Sequence, residues 1–273
     1  MVTIAATGLC VDLGGRRVVD GVTVALAAGA LIGVVGPNGA GKSTVARALL
    51  GLVPPAAGRV TIDGADVAGM TARTVARHVA YLPQAVAVHW PLTVERLVGL
   101  GRLPHLGPFS RLAPSDRNAI AAALQATGTA HLAARAATDL SGGERARVML
   151  ARALATGAPA LIADEPLASL DPGHQLDVMA LLRAQARAGA LVVVVLHDLG
   201  IAARFCDRML LMDGGRVVAD GPPATVLTDA ALATVYGIEA WRGTVDGQPL
   251  LVPLARTADR HIHTGRSGLS VPT

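Results

Sequence analysis

The chain has 273 residues, 52% of them hydrophobic and only 2% aromatic, with a formal net charge of +4. That length suits one large domain with a well-buried core, and two cysteines, Cys10 and Cys206, are too few and too far apart for a disulfide framework or a zinc site, which points to a reducing compartment. The arginines are scattered from Arg16 to Arg266 and stacking aromatics are scarce, which speaks against a nucleic-acid partner.

A mean hydropathy of +0.48 and a charge-free stretch from Gly21 to Gly41 raise the question of a membrane span. The pattern predicts two strands instead. Val22 to Leu26 alternates, Ala27-Ala28-Gly29 turns, and Leu31 to Val35 is apolar and ends at Gly36-Pro37. No basic leader precedes an apolar block at the start, and Asp12 follows soon after, so no secretory signal is expected.

Gly36 to Ser43 then fits the spacing G-x-x-x-x-G-K-[ST], with a strand before it and a helical segment, Ser43 to Leu50, after it. Glycines there let backbone N–H groups approach phosphate oxygens, and the helix N-terminus adds its positive end. Of the 24 cationic side chains only Lys42 is a lysine. A compact ammonium can follow terminal phosphates where a planar guanidinium is wider and stiffer.

From about residue 88 to 155 the pattern becomes Ala- and Leu-rich and helical, broken at Pro91, Pro104, Pro108 and Pro114, which predicts a helical lobe inserted into an α/β core. Within it, Ser141 and Glu144 have capping-box spacing. Capping does not account for Gly142 and Gly143, which cost up to about 1 kcal/mol each against Ala. Two glycines at a helix start suit close approach of an anion, so the chain carries a second phosphate-seeking element.

Ala160 to Ala163 is a buried strand ending in two carboxylates. Asp164 is expected to hold Mg²⁺ together with Ser43, and Glu165 to polarise an attacking water. Ala190 to Leu196 is a second buried strand, and Met209 to Met212 with Arg216 to Val218 predicts a hairpin. The stretch from about Thr257 is polar and reads as a loose tail. Phosphate binding by itself would suit a kinase, a GTPase or a motor.

Taken as an ordered set over roughly residues 3 to 240, these motifs resemble the ATP-binding subunit of an ABC transporter. The resemblance implies a P-loop NTPase (RecA-like) α/β core with an antiparallel β subdomain and an inserted helical subdomain, an ATPase domain over 1–240 and a C-terminal extension over 241–273. It makes Gly36, Pro37, Asn38, Gly39, Ala40, Gly41, Lys42, Ser43 and Thr44 the Walker A loop, and Gln84 a glutamine near Mg²⁺ and the γ-phosphate. By the same resemblance Leu140 to Glu144 is the family signature, Asp164 and Glu165 the Walker B aspartate and catalytic glutamate, Asp171 part of the D-loop, and His197 the switch histidine. In that family two copies pack head to tail, so Ser141, Gly142 and Gly143 would serve the ATP held by the partner copy. An aromatic residue that usually stacks on adenine is replaced here by Leu13, which implies weak discrimination of the base.

Pro91 to Leu106 resembles the branch that powers uptake of iron-siderophore, haem and cobalamin-type cargo, with zinc and manganese importers as the alternative. Transmembrane permease subunits, a substrate-binding protein acting through them, and a place on the cytoplasmic face of the membrane follow from that resemblance. His89, His105, His261 and His263 are expected to be surface or tail residues rather than a metal site. A soluble DNA-repair ATPase would need long heptad arrays between Gln84 and Ser141, and that interval is short and broken by prolines. A translation-factor ATPase would repeat each motif, and a non-hydrolysing regulator remains the binding-module alternative.

Overall fold

A computed structural model describes residues 1–84, 90–107 and 109–257. The chain opens with β1 (Thr3–Leu13), β2 (Arg16–Ala27) and β3 (Leu31–Val35), followed by α1 (Lys42–Leu49), β4 (Ala57–Ile62), β5 (Ala65–Asp66), α2 (Ala72–His78) and β6 (Val79–Leu82). The lobe that follows holds α3 (Val94–Gly99), α4 (Pro114–Ala126) and α5 (Gly142–Ala155). The chain then returns to the core as β7 (Ala160–Asp164), α6 (Pro172–Arg187), β8 (Leu191–Val195), α7 (Leu199–Phe205), β9 (Arg208–Asp213) and β10 (Arg216–Gly221), and ends in a hairpin of β11 (Ile238–Val245) and β12 (Gln248–Arg256).

Two larger sheets result, as expected for an α/β core with an antiparallel β subdomain. The first is antiparallel, in the order β2-β1-β4-β5. The second has the order β10-β9-β3-β8-β7-β6, parallel except for its edge strand β10. Its central strands are unbroken apolar runs because both faces are covered. Along β8, Leu191, Val193 and Val195 enter the core shared with α1 and the antiparallel sheet, whereas Val192 and Val194 enter the core shared with α5, α6 and α7. Truncating Leu191 to Ala would leave a cavity costing about 2–5 kcal/mol.

Short polar side chains start most helices by accepting from backbone N–H groups that lack partners in the first turn. Thr71 does so for α2, Thr93 for α3, Asp171 for α6 and Asp198 for α7. α4 instead begins at Pro114, with Asp116 accepting from the Ala113 N–H. The Asp116 carboxyl, held below its ordinary range first by that backbone donor and then by Arg102, ties the lobe together, because Arg102 also donates to the carbonyls of Ala155 and Thr156.

The expected helical lobe is present as α3 to α5; its expected start near residue 88, like Pro108, lies outside the described residues. The expected boundary at 240 falls inside β11. The hairpin packs on α7 through Leu251. Gly200 makes that approach possible: a Cβ there would stand 3.1 Å from the Leu251 carbonyl oxygen. The segment 21–41 forms strands, and among the described residues no helix is long and apolar enough to cross a membrane.

Candidate functional site

Between β3 and α1 the chain makes the glycine loop, and sterics inside the molecule explain two of its glycines. A Cβ on Gly36 would lie 2.2 Å from the Met212 carbonyl oxygen, and one on Gly41 2.7 Å from that of Val18. Gly41 also takes φ 92° as it starts α1, a conformation that other residues rarely adopt. No side chain caps this helix, so its first N–H groups face the loop. Lys42 is buried, and its ammonium donates to the carbonyls of Gly36 at 2.8 Å and Pro37 at 2.9 Å. Burial pulls its pKa below the ordinary lysine range, while Glu165 and Asp164 oppose that shift.

Register brings the carboxylates to this loop. β7 lies beside β8, with Asp164 opposite Val195, and β8 lies beside β3. Asp164 is fully buried at the strand end. Its Oδ1 accepts from the Ser43 hydroxyl at 2.8 Å and its Oδ2 from the Tyr81 hydroxyl at 3.4 Å. Burial raises its pKa; the Ser43 hydroxyl works against that and the nearby Glu165 with it. A hydroxyl and a buried carboxylate beside a phosphate loop are hard oxygen donors of the kind that would hold Mg²⁺. Among the described residues no cluster of three or more His, Cys, Asp or Glu is placed to hold a metal ion.

The backbone turns sharply at the next residue. Glu165 has φ 53°, an uncommon value for a side chain of this kind, held by its N–H bonding to the Val195 carbonyl. The turn aims its carboxylate between two partners. Gln84 Nε2 donates to Oε2 at 2.6 Å, and His197 Nε2 stands 2.5 Å from Oε1. Gln84 and His197 thus flank Glu165, one by a hydrogen bond and one by a close charge contact, and Ser43 hydrogen-bonded to Asp164 lies beside them. Gln84 spends its amide N–H on Glu165, which leaves its amide carbonyl as the atom that a metal could use.

Ser141, Gly142 and Gly143 sit on a different element, the start of α5, where Gly142 lines one cleft with Gln84 and Glu165. Ser141 and Glu144 form the expected capping box at the start of α5. Neither glycine has a positive φ, and a Cβ on Gly142 would meet only Ser169 at 3.6 Å, one on Gly143 only Leu170 at 3.6 Å and the Ser169 carbonyl at 3.8 Å. Packing within the chain therefore does not require glycine at either position. Asp171 spends its carboxylate on α6, accepting from the His174 N–H at 3.0 Å and pairing with the His174 ring at 2.6 Å. Tyr81 went unread in the sequence as a site residue; only the pairing of β6 with β7 brings it to Asp164. His105 bonds the Thr156 carbonyl, and His89, His261 and His263 lie outside the described residues.

A phosphate loop with its Asp–Ser pair, a clamped glutamate and a glycine-led helix start define an ABC ATPase domain. The ABC transporter family model matches residues 19–168, and the chain belongs to that family. It is 48% identical over 260 residues to the hemin import ATP-binding protein HmuV of Nocardia farcinica, covering 93% of this chain and 90% of that one. It is 41% identical over 273 residues to the cobalamin import ATP-binding protein BtuD of Halobacterium salinarum, covering 97% of this chain and 68% of that one. Among solved structures, a dimeric bacterial ABC transporter cassette superposes with a TM-score of 0.73 at 25% identity, over 81% of this chain and 98% of the other.

Proposed function

We propose that this chain is the ATP-hydrolysing subunit of a membrane importer for a haem- or cobalamin-type metal chelate. The observation that carries the reading is the Glu165 carboxylate, held on one oxygen by Gln84 and approached on the other by His197, next to Asp164 and Ser43. ATP hydrolysis needs a base that is oriented before water arrives, and two partners on one carboxylate provide that orientation. The names of the relatives, hemin import and cobalamin import, support the cargo class over zinc or manganese.

In this reading Gly36 to Thr44 wrap the phosphates with backbone N–H groups and Lys42 balances their charge. Ser43 and Asp164 hold Mg²⁺, with Gln84 reaching toward it. When bound, that ion neutralises phosphate charge. Glu165 orients the attacking water and takes up its proton, while His197 holds the carboxylate and meets the γ-phosphate. Ser141, Gly142 and Gly143 reach the ATP of a second copy, which explains glycines that the chain's own packing leaves free; the dimeric cassette supports the same assembly. Asp171 lies at that contact.

A permease is the second partner. A largely apolar cleft of about 360 Å³ between core and helical lobe is lined by Leu52, Met70, Val75, Tyr81, Leu100 and Pro104. Leu52 and Leu100, and nearby Leu103, are exposed there, as a docking groove for a short helix requires. Such docking places the chain on the cytoplasmic face of the membrane, with a substrate-binding protein acting through the permease. Reconstitution with the permease in lipid vesicles tests the function: ATP-driven uptake of hemin or cobalamin is expected, and uptake of zinc but of neither chelate would refute the cargo class.

A further inference from the structure

The C-terminal hairpin leaves a cavity of about 580 Å³ between itself, α6, α7 and the turn at Pro222. That volume is in the range of small-molecule sites, about 300–1,000 Å³. Four arginines line it, Arg183, Arg187, Arg204 and Arg242, and none of its lining residues is acidic. Arg183 and Arg187 are four positions apart on α6 and share a face.

Two of the four have carboxylate partners outside the lining. Arg183 lies 3.6 Å from Asp207, although its Nε is buried without a hydrogen bond, and Arg242 pairs with Asp229 and donates to the Leu227 carbonyl. The other two have none. Arg204 lies over the Phe205 ring, 5.3 Å from its centroid, and Arg187 has no partner among the described residues. Exposed arginines on one helix are commonly just solvated. Here they come from two helices and a hairpin onto one concavity, where like charges repel and the field favours an anion. The floor is apolar, with buried Leu227 and Leu251.

We propose that this cavity binds a small dianion, two carboxylates or one phosphate group carried on an apolar body, with Arg187 and Arg204 holding the charge and Leu227 and Leu251 seating the body. The cavity shares no lining residue with the phosphate loop or with the Glu165 group, so the proposal does not depend on the ATPase reading.

Calorimetric titration of the full chain, with the phosphate loop saturated by Mg-ADP, tests it. The probes are isophthalate, phenyl phosphate and neutral benzyl alcohol. At least one dianion is expected to bind while the alcohol does not, and the stronger of the two identifies the head group. The double variant Arg187→Gln, Arg204→Gln is expected to weaken that binding by about tenfold or more, the scale of one lost charge-assisted hydrogen bond. If the double variant loses thermal stability, Arg187→Gln, an exposed position, carries the same test with a smaller loss. Absence of binding by both dianions, or unchanged affinity in the variants, would overturn the site.

Discussion

His197 Nε2 stands 2.5 Å from Glu165 Oε1, across the junction of two parallel strands whose last residues lie side by side. With Gln84 on the other oxygen, the glutamate carboxylate has little freedom left. Glu165→Gln is therefore expected to retain ATP binding and lower turnover by roughly a hundredfold to ten-thousandfold. His197→Ala should lower turnover in the same direction. Phosphate release measured beside nucleotide affinity checks both, and a glutamine variant that turns over at the parent rate would remove Glu165 from the mechanism.

Asp164 offers a test through stability. Its folded pKa is raised by burial, so the folded protein binds that proton more tightly than the unfolded chain does. Ionisation therefore costs stability as pH rises from the ordinary carboxylate range through the raised folded value. Without nucleotide or Mg²⁺, Asp164→Asn should melt higher than the parent at neutral pH, and the gain should vanish in acid, where both side chains are neutral. Melting curves across that range decide the matter. The same variant should lose Mg²⁺-dependent ATP binding.

Gly142→Asp separates folding from assembly. A side chain at this position meets only ordinary contact with Ser169, so the melting temperature should stay near that of the parent. A carboxylate placed against a partner's phosphates should repel them. ATP binding by one copy is then preserved, while ATP-driven dimerisation and turnover fall by more than about tenfold, or about 1.4 kcal/mol. Sedimentation in the presence of ATP is the measurement; an intact dimer would refute the shared site.

Leu13 is 42% exposed at the end of β1, where the resemblance predicts an aromatic ring. ATP and GTP should bind within roughly an order of magnitude of each other, since a ring stack adds about 0.5–1.5 kcal/mol and none forms here. Leu13→Tyr should tighten ATP binding by about that energy. Competition binding of the two nucleotides reports both numbers.

The phosphate loop, the buried strands and the start of α5 were legible because each rests on local chemistry: glycine spacing, apolar runs covered on two faces, and a hydroxyl three residues before a glutamate. The hydrogen bond from Tyr81 to Asp164 was not, because it depends on which strands lie side by side, and no short window contains that. The β11–β12 hairpin escaped notice for a different reason. Pro249 and Pro253 interrupt its alternation, as an edge ribbon tolerates, while Asp246-Gly247 was the turn signal that marked it. Gly142 and Gly143 stood out in the sequence because nothing local required them, and the fold leaves that unchanged.

The Leu251 carbonyl rests on Gly200, two residues beyond Asp198, which caps α7 directly after His197. The hairpin is thereby a brace for α7, the helix that starts beside His197, rather than an ornament of the periphery. A wedge driven between hairpin and helix would slow the enzyme by leverage, and raising ATP could not relieve it.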